Sequence, residues 1–202
     1  MKISENIELI DGTMCNVYVM KYNNKKIQID AGMKGSFNKI KSYYQENKSK
    51  PDIILITHYH LDHIGALKAL KNMYSPEIYA NEIEIPYIEG KEPIPKPKSF
   101  LAKFFFTFAK VNPVEDIKSF KNFNMEGIKF IETYGHTIGS TSIYIENQKF
   151  IFVGDAVSTV NGKLSINEKF TLNMEEAKKS LEKIKKLSPI TILPGHGNPM
   201  KI

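Results

Sequence analysis

Arginine is absent from this 202-residue chain, so all 28 basic residues are lysine, against 22 acidic ones. The net charge of +6 alone would suggest a nucleic-acid partner. Nucleic-acid readers, however, rely on the guanidinium fork for contacts with phosphates and bases. The lysine runs Lys178-Lys179 and Lys183-Ile184-Lys185-Lys186 share a segment with Ala177, Leu181, Ile184 and Leu187 on its opposite face. They read as the solvated side of an amphipathic helix, and no nucleic-acid partner is expected. Cysteine is nearly absent as well. Cys15 stands alone, which excludes an intramolecular disulfide, and its spacing is not that of a ligand. It reads as a small, half-buried strand residue. No run of about 18 apolar residues occurs, so no transmembrane helix and no membrane partner are expected. The start, Met1-Lys2-Ile3-Ser4-Glu5-Asn6, has no apolar leader, which points to a cytoplasmic protein. The length is that of one domain with a single good core.

Histidine is also scarce, but its placement is informative. There are five, and none is left for ordinary core or surface duty. Three lie in Thr57-His58-Tyr59-His60-Leu61-Asp62-His63; the others are His136, after Gly135, and His196, between Gly195 and Gly197. Every imidazole stands beside a glycine or a second ligand, the pattern of a metal centre. Imidazole and carboxylate without thiolate suit zinc, iron or manganese. The apolar, β-branched run before Thr57 reads as a buried strand, and Ile64, Leu67 and Leu70 after it have helical spacing. The ligands therefore fall on a strand-to-helix turn. Residues two apart in an extended turn point the same way, so His58 and His60 can share one metal. Asp62 and His63, on the first helical turn, project elsewhere and can serve a second. A structural zinc site is the bland alternative, but such sites close with four ligands, often cysteine.

These motifs resemble those of the metallo-β-lactamase-fold superfamily of hydrolases, of the glyoxalase II and lactonase type. The resemblance rests on Thr-His-x-His-x-Asp-His at 57–63, Gly-His-Thr at 135–137, Gly154-Asp155, Pro-Gly-His-Gly at 194–197, and Asp30 in an early Asp-x-Gly element. It implies an α/β fold, a four-layer αββα sandwich of two mixed β-sheets flanked by helices, as one domain over residues 1–202. It further implies that His58, His60 and His136 hold a first metal, that Asp62, His63 and His196 hold a second, and that Asp155 bridges the two with a hydroxide. Two divalent metal ions are thus expected, zinc before iron or manganese. Such a pair lowers the pKa of a shared water and clamps a displacement. The resemblance gives Asp62 a catalytic part, aiding the second metal in stabilising the leaving group. Asp30 is expected to support the ligands by hydrogen bonding.

The order of elements is expected to be a hairpin over 16–21 and 25–30, a helix at 37–47, a strand at 53–57, a helix over 63–71 and a strand at 77–80. Strands near 128–133, 141–146 and 149–153, a helix at 174–187 and a last strand at 190–193 complete it. The segment of about 85–114 departs from this rhythm as a helical insertion. It opens with Pro86, Pro93, Pro95 and Pro97, expected as a stiff extended stretch. Then Phe100, Leu101, Phe104, Phe105 and Phe108 fall on one helical face, with Ser99 as N-cap. That helix is expected over the metal site or in a homodimer interface formed by residues 99–110. Tyr59 and Tyr134, next to ligands, serve packing or substrate equally well.

Only six residues follow His196. Neither a helical domain for a glutathione moiety nor a flavin domain is therefore expected, and the insertion reads as too poor in basic residues for an RNA-gripping arm. The expected activity is hydrolysis of a small thioester, lactone or other activated ester through a metal-bound hydroxide. Two alternatives stand beside it: a mononuclear iron, persulfide-dioxygenase-like oxidoreductase, and a phosphodiesterase or nuclease of the same fold.

Overall fold

The structure, a computed structural model, describes residues 1–95 and 112–202. The expected 100–108 helix, with its N-cap Ser99 and its roof or dimer role, lies outside the described residues.

Two mixed sheets form the centre. The first has six strands in the order β1 (Ile7–Ile10), β2 (Val17–Tyr22), β3 (Lys25–Ile29), β4 (Ile53–Leu55), β5 (Glu77–Ala80) and β6 (Lys118–Ser119). Its first three strands are antiparallel and the rest parallel. The hairpin between β2 and β3 turns at Asn23 and Asn24, both with positive φ, as a two-residue turn requires. The second sheet has five strands. In chain order these are β7 (Ile128–Glu132), β8 (Thr141–Ile145), β9 (Phe150–Gly154), β12 (Thr191–Pro194) and β13 (Met200–Lys201). In space they run β13-β12-β9-β8-β7. A small hairpin, β10 (Ser158–Val160) and β11 (Lys163–Ser165), stands apart.

Alternation along the strands builds the layers. Tyr18, Met20, Ile53 and Leu55 meet Ile143, Ile145, Phe152 and Leu193 between the sheets. Val17, Val19, Ile54 and Ile56 point outward against Ile40, Tyr44, Leu67, Leu70 and Ile88. Those residues belong to α1 (Phe37–Glu46), α3 (Leu67–Tyr74) and α4 (Ile85–Ile88). On the far side, Tyr144, Ile151, Val153 and Ile192 pack against Ile184 of α5 (Met174–Lys185). The result is helices, sheet, sheet and helix: the expected αββα sandwich.

Several expectations need correction. The 63–71 helix is two helices, α2 (Leu61–Ile64) and α3, broken at Gly65-Ala66. Gly65 lies so close to its surroundings that a Cβ would sit 2.5 Å from the Leu61 carbonyl and from the Lys34 nitrogen. Pro86 does not start an extended stretch. It occupies the first turn of α4, where its missing N–H has no partner to lose. Cys15 is fully buried rather than half-buried, and lies in a bend just before β2. β1, β6, β13 and the β10–β11 hairpin were not foreseen. Among the described residues, no helix is long and apolar enough to cross a membrane.

Candidate metal centre

Every expected ligand lies where a strand ends. β4 runs out just before the 57–60 turn, and α2 carries Asp62 and His63. The turn between β7 and β8 carries His136, β9 ends at Gly154 just before Asp155, and β12 delivers His196.

The seven side chains gather in two groups. One comprises His58, His60 and His136; the other comprises Asp62, His63, Asp155 and His196; within each, the ligand atoms lie within 4.8 Å of one another. In the first, His136 Nε2 faces His60 Nδ1 at 2.8 Å, and the rings of His58 and His136 stand 4.8 Å apart. In the second, His196 Nε2 meets Asp62 Oδ2 at 3.0 Å, and His63 Nε2 lies 3.3 Å from Asp155 Oδ1. Asp155 stands between the groups. Its Oδ2 is 3.5 Å from His136 Nε2 and 3.5 Å from His196 Nε2.

The surroundings orient these rings. Asp30 Oδ2 lies 2.7 Å from His63 Nδ1, which turns His63 Nε2 toward Asp155. Asp30 Oδ1 accepts from the Thr57 N–H at 2.8 Å, and the Thr57 hydroxyl donates to Asp30 Oδ2 at 2.9 Å. Thr57 Oγ1 lies 3.0 Å from His58 Nδ1, which leaves His58 Nε2 for the centre. Asp30 adopts a left-handed φ of 60° and is held there by Gln28 Nε2, which donates to its carbonyl at 2.7 Å. The expected support by Asp30 is therefore present as direct hydrogen bonds. Gly195 is required by proximity, because a Cβ there would fall 2.4 Å from Asp155 Oδ1 and 2.7 Å from His63 Cε1.

Electrostatics separate the groups. Burial, then the neighbouring His63, holds the His58 pKa well below its ordinary value; burial, then His136, does the same for His60. Burial also lowers His136. These imidazoles are neutral, the form that binds metal. Burial would lower His63 too, but Cys15 and the carboxylates of Asp30, Asp155 and Asp62 outweigh it and raise its pKa well above normal. Burial opposes ionisation of Asp155, yet His63 and the other imidazoles hold its pKa well below the carboxylate range. Asp62 is drawn down to about 2, since His63 and His196 outweigh its burial.

The donor set fits divalent cations. Among the described residues, His58 Nε2, His63 Nε2 and Asp155 Oδ1 are buried without a hydrogen-bond partner, and they point into the centre. Buried polar atoms are rarely left so. A cation in each group would satisfy them.

Two supporting residues, Asn16 and Glu84, lie beyond the sequence motifs. Asn16 binds the His196 loop, its Nδ2 donating to the Pro194 and Gly197 carbonyls, each at 2.8 Å. Glu84 and Thr137 join the loops of the first group. Tyr59 is fully buried, its ring 4.8 Å from that of Tyr87, so it packs in the helical layer.

The family model described as the metallo-beta-lactamase superfamily matches residues 10–196. The chain is 31% identical to a probable metallo-hydrolase, YflN, of Bacillus subtilis (strain 168), over 93% of this chain and 82% of that protein. It is 25% identical to a hydroxyacylglutathione hydrolase of Bdellovibrio bacteriovorus, over 96% of this chain and 67% of that one. TTHA1623, solved in a di-iron-bound form, superposes with a TM-score of 0.75 at 22% identity, covering 96% of this chain and 93% of that chain. The chain belongs to the metallo-beta-lactamase superfamily.

Proposed function

We propose that this protein is a binuclear metal-dependent hydrolase of a small thioester, lactone or other activated ester. His58, His60 and His136 would hold one ion, Asp62, His63 and His196 the other, and Asp155 would bridge them. The observation that carries this reading is the position of Asp155, whose Oδ2 lies 3.5 Å from His136 Nε2 of the first group and 3.5 Å from His196 Nε2 of the second. The name of the Bdellovibrio relative, a hydroxyacylglutathione hydrolase, supports the thioester branch.

Two bound cations would supply Lewis acidity and lower the pKa of a water held between them. The chain's own residues do the rest. The neutral imidazoles of the first group would not themselves offset the positive charge there, so a substrate carbonyl would be best polarised on that side. Asp155 offsets part of that charge. Asp62 is only partly buried and accepts from His196, which places a carboxylate at the open edge, where it would relay to a departing thiolate or alkoxide the proton given up by the attacking water. Asp30 and Thr57 keep the rings fixed throughout, so little reorganisation accompanies reaction.

The test is metal analysis of protein purified without added metal, followed by assay against thioesters, lactones and bis(p-nitrophenyl) phosphate. About two zinc ions per chain with carboxylic ester or thioester turnover supports the reading. About one iron with oxygen consumption would replace it with the dioxygenase alternative, and turnover confined to the phosphodiester would replace it with the phosphodiesterase.

A further inference from the structure

Glu84 is a fully buried carboxylate, and among the described residues it makes no ion pair. Such a group costs stability unless hydrogen bonds replace its water. Glu84 has three. Its Oε2 accepts from the Tyr59 N–H at 2.8 Å. Its Oε1 accepts from the Gly139 N–H at 2.7 Å and from the Thr137 hydroxyl at 2.8 Å. Tyr59 lies between the ligands His58 and His60, and Thr137 follows the ligand His136. One carboxylate thus spans both loops that build the first group, from a third element just before α4.

We infer that Glu84 is a positioning residue for the ion of the first group, a clasp that fixes the His58 and His60 loop against the His136 loop. The inference rests on the reading that these histidines hold an ion.

The chemistry requires a carboxylate. All three partners are donors, and an ionised carboxyl is acceptor-only, with room for each of them. An amide in its place would turn an NH2 group toward one of the donors, whichever way it is flipped. The clasp is also anchored from behind. The Glu84 N–H donates to the Asn81 carbonyl at 2.9 Å, and Asn81 Nδ2 donates to Thr141 Oγ1 at 2.9 Å. Gly139 leaves the room that Glu84 needs, since a Cβ there would come within 2.8 Å of Oε1. Burial pushes the Glu84 carboxyl up to about 7, against the pull of Thr137, Tyr59 and Gly139. A pure packing role would be filled better by an apolar side chain.

The experiment measures zinc affinity by competition with a chromophoric chelator, together with the melting temperature of the metal-free protein. It compares wild type, His58→Ala, Glu84→Gln and Thr137→Val. Expected is loss of one ion in His58→Ala. That same ion should bind roughly 10–100-fold more weakly in Glu84→Gln and less severely so in Thr137→Val, with both variants still unfolding cooperatively when metal-free. Unchanged zinc binding in His58→Ala would overturn the two-ion reading and the clasp with it. An ion lost in His58→Ala but bound normally in Glu84→Gln and Thr137→Val would overturn the clasp alone. If Glu84→Gln does not fold, Thr137→Val decides: weakened zinc binding supports the clasp, and wild-type binding overturns it.

Discussion

The two halves of the candidate metal centre are built on different physics. The first is a dry pocket of neutral imidazoles, with His58, His60 and His136 each at most 4% exposed. The second is rich in carboxylates, and its His196 side chain is 39% exposed. Each half has one ligand pair in contact, His136–His60 in the first and His196–Asp62 in the second, and each leaves buried ligand atoms without a hydrogen-bond partner among the described residues, His58 Nε2 in the first and His63 Nε2 and Asp155 Oδ1 in the second. The loops are tied differently as well: the buried carboxyl of Glu84 holds the first, and the neutral amide of Asn16 holds the second. The closed half is thus preformed by folding. The open half faces solvent, and under the proposed reading substrate and product would pass there.

The largest expected effect erases the contrast altogether. Asp155→Ala removes the carboxylate that faces both halves. It should cost at least one ion and roughly 10²–10³-fold in kcat/KM, the loss typical of a preorganised electrostatic group. Circular dichroism should show the fold intact, and full metal content with full activity would refute the bridge.

The next effect isolates the charge behind the closed half. Glu84 has a pKa of about 7 against an ordinary value of 4.5. The folded state therefore binds this proton more tightly, and ionising Glu84 costs the metal-free fold stability as pH rises from about 4.5 to about 7. Tyr59, the titratable group coupled to it, stays neutral because burial and Glu84 both raise its pKa. Metal-free wild type should lose ~3 kcal/mol relative to Glu84→Gln between pH 5 and pH 8. A stability gap independent of pH would show that Glu84 does not titrate there.

Asp30→Ala reaches both halves, His63 directly and His58 through Thr57. Metal affinity should fall roughly 10–100-fold without vanishing. Isothermal titration with zinc checks this, and affinity equal to wild type would reduce Asp30 to a turn residue. The smallest effect falls on the open half alone. Asn16→Ala frees the Pro194 and Gly197 carbonyls and should weaken the second ion by about tenfold, the lower end of such losses, with the first unaffected. Equal weakening of both ions in a chelator titration would show that the halves are not separately supported.

Most of the architecture and the seven clustered side chains were legible because their signals are local. The His58-x-His60 spacing, the apolar run from Val17 to Met20 and the glycines beside His136 and His196 can all be read within a few residues. The supporting residues were not legible, because their partners are remote. Glu84 lies 25 residues from Tyr59 and 55 from Gly139, and Asn16 lies 178 from Pro194. A glutamate between Ile83 and Ile85 carries no short-range mark of such duty. The β10–β11 hairpin did carry a signal, the Asn161-Gly162 turn with φ of 50° and 70°. Its strands were too short to register as alternation. Pro86 failed as an indicator because proline at a helix start and proline in an extended segment look alike until the chain beyond is placed.

The most direct measurement is a crystal structure of the zinc-loaded protein with anomalous scattering at the zinc edge. Two peaks roughly 3.5–4 Å apart are expected. One should lie among His58, His60 and His136, the other among Asp62, His63 and His196, with the Asp155 carboxylate between them. A single peak bound by four ligands, with Asp155 turned away, would contradict the two-ion centre.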